Sequence, residues 1–190
     1  MGRGSDRQIH PPHKAHSVSR AKAGNSGTTH RAPTAVTNIN EKRPAVYGPA
    51  GALVLVDSGP LLALFNRTDQ WHLMVTEWMQ TNPRFKLVTT WCVLTEVCAM
   101  LSRRVHNEAA LDVLRWALRG GITVDGAPQD ALVSVLAISE RFADLPFDLA
   151  DASIAEAAER MRIRRVLSID SDFDVYRGHA GRALQNVLKR

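Results

Sequence analysis

From Leu53 to the end of the chain, short apolar runs alternate with segments of helical length, and this alternation narrows the choice of folds more than any other feature of the sequence. Leu53 to Val56 is a continuous apolar run containing two valines, and the Asp57-Ser-Gly-Pro60 that follows reads as the end of a strand and the start of a helix. A second helix is expected over Trp71 to Met79, ending before Pro83, and a second strand over Phe85 to Val88. Thr89 or Thr90 can cap a helix running to about Arg103. Further helices are expected at Glu108 to Leu118 and Pro128 to Arg141, with a short strand at Ile122 to Val124 between them. Asp148 then caps a helix through Met161, and Arg165 to Ile169 forms another strand.

Strands joined by crossover helices of these lengths imply a three-layer α/β/α domain around a central parallel sheet. In such sheets ligands bind in the crevice at the carboxyl ends of the strands. Asp57 and Asp170 each stand directly after an expected strand, where that crevice should be.

The 190 residues, 45% hydrophobic and 6% aromatic, suit one core and hence one folded domain. Two cysteines, Cys92 and Cys98, are too few for a disulfide framework or the usual zinc cage, and they fit a reducing cytoplasm. No apolar run reaches the about 18 residues that span a membrane, so a soluble protein with no membrane partner is expected. The formal charge of +5 is unevenly placed: residues 1–50 hold eight of the 24 Lys and Arg but two of the 19 acids. That leader is rich in Gly, Pro, Ser, Thr, Asn and His, and we read it as a disordered basic tail ahead of a domain spanning residues 51–190. A loose RNA-binding arm, an organelle-targeting segment and sequence upstream of the true start are all compatible with it.

The informative acids are those placed where a purely structural acid would not be. Glu96 shares a helical stripe with Val93 and Met100, and Asp151 with Ile154, Ala158 and Met161. A carboxylate on an apolar stripe is partly buried, which is costly unless it is paired or bound to a metal. Each acid also has a structural alternative: Asp57 as a helix N-cap, Glu96 paired with Arg103 or Arg104, Asp151 as a first-turn acid, Asp170 as the cap of the Ser171 to Asp174 turn. Together they favour a site, because carboxylates converging on one crevice repel by roughly 4 kcal/mol per pair about 4 Å apart at an effective dielectric near 20. A cation relieves this. An oxygen-only ligand set favours Mg²⁺ or Mn²⁺ over zinc, and carboxylate-held Mg²⁺ commonly serves phosphate chemistry.

Val56-Asp-Ser-Gly-Pro-Leu-Leu-Ala-Leu-Phe65, the Thr95-Glu96 pair, Phe147-Asp-Leu-Ala-Asp-Ala-Ser153 and Leu167-Ser-Ile-Asp-Ser-Asp-Phe173 resemble, in order, the four acidic motifs of PIN-domain ribonucleases, specifically the VapC-type toxins of type II toxin-antitoxin systems. The resemblance covers about Leu53 to the C-terminus. It implies a Mg²⁺- or Mn²⁺-dependent endoribonuclease that cuts tRNA, rRNA or mRNA and is held silent by a cognate antitoxin. It also implies that Asp57, Glu96, Asp151 and Asp170 are catalytic metal ligands. Asp172 is a second candidate for the place of Asp170, Asp148 a further possible ligand, and Ser58 and Thr95 hydrogen-bonding supports.

Three further expectations concern partners and rivals. Leu61, Leu64, Phe65, Trp71, Leu73, Met74 and Trp78 are either ordinary core or a homodimer face or antitoxin groove. Arg103, Arg104, Arg162, Arg164, Arg165 and Arg177 are candidate phosphate contacts. The competing functions are a PIN-fold scaffold that binds RNA or protein without cutting, and a phosphatase with Asp57 as nucleophile. The latter is disfavoured because position 59 is Gly, where a second acid is wanted.

Overall fold

A computed structural model describes residues 53–145, 147–178 and 181–188. The expected basic tail lies outside the described residues. The strands are β1 (Leu53–Val56), β2 (Lys86–Thr90), β3 (Thr123–Asp125), β4 (Arg165–Leu167) and β5 (Gln185–Asn186). The helices are α1 (Ser58–Phe65), α2 (His72–Thr81), α3 (Trp91–Arg104), α4 (Asn107–Leu118), α5 (Ala131–Arg141), α6 (Leu149–Met161) and α7 (Asp172–Val175).

All strand pairs are parallel, in the order β3-β2-β1-β4-β5. The most apolar run of the chain therefore takes the centre: every residue of β1 is buried, as a strand covered on both faces must be. The expected α/β/α architecture is the one observed. The core joins the strands to Leu61, Val75, Val93, Val97, Leu101, Val113 and the alanine-rich inner face of α6, where small residues let the helix lie close to the sheet.

Helix starts follow the capping residues. Thr90 caps α3, accepting from Val93 N, and Asp148 caps α6 in a reciprocal box with Asp151. Boundaries shift where side chains intervene. The fourth strand ends at Leu167 rather than Ile169, because beyond it Asn186 Oδ1 accepts from Ser168 N and Asn186 Nδ2 donates to Ser168 O, replacing the backbone ladder. The fifth strand and α7 were not anticipated; two and four residues carry too little periodicity to be seen.

Of the apolar residues on the first two helices, Leu61 is buried and Leu64, Trp71 and Met74 pack against the core. Phe65 meets Trp116 edge-on, Trp78 stacks on Phe85, and only Leu73 stands out in solvent. Core packing thus accounts for most of that stripe. The larger exposed apolar groups lie elsewhere: Leu132, Val133 and Leu136 on α5, Leu118 at the end of α4, and Trp91 and Leu149.

Candidate active site

Asp57 follows the central strand and continues its ladder by donating from its backbone N to Leu167 O at 3.1 Å. That bond brings its side chain beside Ser168. The carboxylate is buried, with Oδ1 accepting from Ser58 N at 2.6 Å and Oδ2 from Ser168 Oγ at 2.8 Å. It is therefore both the N-cap of α1 and a fixed group of the crevice. Beside it, Gly59 packs closely on Ile169: a Cβ at position 59 would come within 3.3 Å of that side chain.

Burial, with smaller contributions from the charges of Asp170 and Glu96, raises the Asp57 pKa to about 6 despite its two hydrogen bonds. Asp151 is raised to about 8, first by burial and then by Asp57, with Asp148 and Asp172 adding to it; its Oδ2 accepts from Asp148 N at 3.0 Å. Glu96 is raised by burial and by Asp148 and Asp170, while Ser58 and Arg104 act in the opposite direction. The Oε2 atom of Glu96 is buried with no hydrogen-bond partner.

These couplings gather Asp57, Glu96, Asp148, Asp151, Asp170 and Asp172 into one electrostatic cluster at the carboxyl ends of β1 and β4. Neither Arg103 nor Arg104 forms an ion pair with Glu96 among the described residues. Asp170 donates its backbone N to Ser168 Oγ at 3.1 Å, so one hydroxyl orients both aspartates. Ser171, not Asp170, occupies the N-cap position of α7.

An orphaned carboxylate oxygen, the raised pKa values of the buried Asp57 and the half-buried Asp151, and an all-oxygen donor set fit a hard divalent cation. Among the described residues no three such side chains already stand close enough to grip one ion. Asp57 is turned to Ser168 and Asp151 to the Asp148 backbone, so closing on an ion requires side-chain reorientation.

Some expected supports fall away. Thr95 is exposed and its hydroxyl donates to Trp91 O within its own helix. Arg162, Arg164 and Arg165 lie at the end of α6 and the start of β4, the edge of the sheet opposite the acids. Arg177 donates to the carbonyls of Asp174 and Tyr176. Sequence reading also missed Ser168, Ser153 and Thr90 as a supporting set: Thr90 Oγ1 and Ser153 Oγ are 2.6 Å apart and tie α3 to α6, the helices that carry Glu96 and Asp151. It missed Asp125 too, which with Glu156 brackets the Arg160 guanidinium and joins the end of β3 to α6.

An α/β/α sheet with an acidic cluster at its carboxyl edge defines a class of proteins, and comparison with known proteins gives it a family. The family model described as PIN domain matches residues 54–178, and the chain belongs to that family. Within it, the likeness is to the VapC-type toxins. The chain is 26% identical over 117 residues to Ribonuclease VapC26 of Mycobacterium tuberculosis, a match covering 62% of this chain and 86% of that protein. In fold it matches the crystal structure of VapC20 of Mycobacterium tuberculosis, described as a sarcin-ricin loop cleaving toxin. That match has a TM-score of 0.60 at 21% identity and covers 64% of this chain and 92% of the other. Among the described residues no helix is long and apolar enough to cross a membrane.

Proposed function

We propose that the chain is a divalent-cation-dependent endoribonuclease, the toxin of a toxin-antitoxin pair, acting on RNA in the cytoplasm. The observation that carries this reading is geometric: Ser168 joins the buried Asp57 carboxylate to the backbone of Asp170 at the carboxyl edge of a PIN-type sheet, and Glu96 brings there a buried carboxylate oxygen with no hydrogen-bond partner. The side chains of Asp57, Glu96, Asp151 and Asp170 would hold Mg²⁺ or Mn²⁺, with Asp172 and Asp148 as adjoining candidates, and residues 51–190 form the catalytic domain. Such a cation, when bound, would supply charge neutralisation for the phosphate oxygens and a more acidic water.

Every other part falls to the chain itself. Ser168 fixes Asp57 and the backbone of Asp170 together, so the two aspartates approach the phosphodiester as a pair. Ser58 N holds the other Asp57 oxygen, and the reciprocal cap of α6 fixes the first turn that carries Asp151. At neutral pH the metal-free Asp151, raised to about 8, retains a proton that a bound cation would displace.

The partners of this reading are an RNA substrate, a cognate antitoxin protein and a second copy of the chain. VapC26 is a ribonuclease and VapC20 a sarcin-ricin loop cleaving toxin by name; the first supports an RNA substrate, and the word toxin an antitoxin partner. Light scattering across micromolar concentrations tests the homodimer; a monomer throughout contradicts it. The function itself is tested by incubating the purified protein with a broad panel of structured RNAs in Mg²⁺, Mn²⁺ or EDTA. Cuts that need the metal are expected. RNA binding without cuts in any metal turns the reading to a non-catalytic PIN scaffold.

A further inference from the structure

Trp91 is the first residue of α3, directly after the capping Thr90 that is tied to Ser153 of α6. Its position is thereby fixed at the rim between the two helices that carry Glu96 and Asp151. The side chain is nonetheless 60% exposed and has neither a ring partner nor a hydrogen bond for its indole N–H among the described residues. The other tryptophans are engaged: Trp78 stacks on Phe85 and donates to Val187 O, Trp116 meets Phe65, and Trp71 packs on the core. Leu149, the first residue of α6, is 59% exposed. Trp91 and Leu149 line a groove of about 450 Å³ that runs past Cys92 to Glu96 and Asp148.

An exposed indole beside a second exposed apolar side chain offers a flat face on which an aromatic ring can stack. Glu96 and Asp148 make one end of the groove part of the carboxylate cluster, whereas Trp91 and Leu149 leave the other end uncharged and suited to the face of a base. Because Glu96 and Trp91 line the same groove, a nucleotide whose phosphate meets the carboxylate cluster can extend its base along the groove towards Trp91. We propose that Trp91 is a stacking platform for an unpaired base of the RNA next to the scissile phosphate, with Leu149 bordering the slot. The inference rests on the ribonuclease reading and deepens it, because a stacking slot of this kind selects looped or single-stranded targets whose bases are free to splay out.

The test uses the full chain carrying Asp57→Asn to prevent cleavage, with Mg²⁺ present, and two fluorescein-labelled probes: an adenosine decamer and a decamer of abasic ribose-phosphate units. Anisotropy should show tighter binding of the adenosine decamer. Adding Trp91→Ala should weaken that binding roughly ten-fold, within the range of one base–aromatic stack, and leave the abasic probe unchanged. Trp91→Phe should keep most of the preference. In the cleaving protein Trp91→Ala should raise KM far more than it lowers kcat, since stacking is present before and during the reaction. Equal or undetectable binding of both probes by the Trp91-containing protein overturns the proposal, as does unchanged adenosine-decamer binding in Trp91→Ala. Loss of a dimer on light scattering with RNA binding intact would instead assign Trp91 to a protein interface. Cleavage of the RNA panel is scored separately, so the ribonuclease reading can stand while the platform fails.

Discussion

Ser168 Oγ donates to Asp57 Oδ2 at 2.8 Å and accepts from Asp170 N at 3.1 Å, so one hydroxyl joins the ends of two neighbouring parallel strands at the acidic edge of the sheet. The contact spans 111 residues of sequence, and it exists because β1 and β4 are adjacent and in register through Val56 and Leu167.

Replacing Ser168 by alanine should therefore affect the site more than the fold. A buried hydrogen bond to a charged group is lost, which costs roughly 1.5–3 kcal/mol in its ionised state. The Ser168 bond lowers the Asp57 pKa, so its removal raises that pKa further above about 6. The acid limb of the cleavage–pH profile should move to higher pH, with activity at neutral pH down about ten-fold. A profile that keeps its position while stability falls would make Ser168 purely structural.

Metal-free stability should fall as pH rises. Asp57 and Asp151 have folded pKa values of about 6 and about 8 against an ordinary 3.8. Between the unfolded and folded values the native chain binds more protons than the unfolded one, so it loses stability as pH climbs from about 4 towards 8. In EDTA the Tm should be lower at pH 8.5 than at pH 5.5, and Mg²⁺ should raise it more at the higher pH. A Tm gain from Mg²⁺ that does not depend on pH would contradict the assigned ligands.

Arg160→Met should destabilise without altering the chemistry. Asp125 and Glu156 are both buried and both face this guanidinium, so its removal strands two acids. Because Arg160 itself is partly solvated, the loss should sit near the low end of what breaking a buried pair costs, roughly 3 kcal/mol. Urea unfolding measures it. Cleavage per folded molecule should change less than two- to three-fold.

How far the sequence reveals this molecule depends on the range of the signal. β1 and its terminal Asp57 are legible because four buried apolar residues followed by Asp-Ser-Gly-Pro is a local pattern. Thr90 and Asp148 are legible as caps for the same reason. The partial burial of Glu96 follows from its spacing to Val93 and Met100 on one helix. Ser168, Ser153 and the Asp125–Arg160–Glu156 group are not legible, since each depends on which strand or helix lies next to which. Thr95 misled because adjacency to Glu96 in the chain sends it to a different side of the helix, towards solvent. Arg162, Arg164 and Arg165 misled because charge alone does not say at which end of a parallel sheet a residue stands.

The central claim, that the carboxylate cluster cuts RNA, is met most directly by Asp57→Asn. Asparagine keeps the cap on Ser58 and the volume of the side chain while removing the charge that lies between two strands. With wild type and variant purified side by side and assayed on the same RNA panel in Mg²⁺, cleavage should vanish in the variant while its Tm in EDTA stays level or rises. Cleavage that persists in the variant, from protein free of contaminating nuclease, would contradict the assignment of this cluster as the active site.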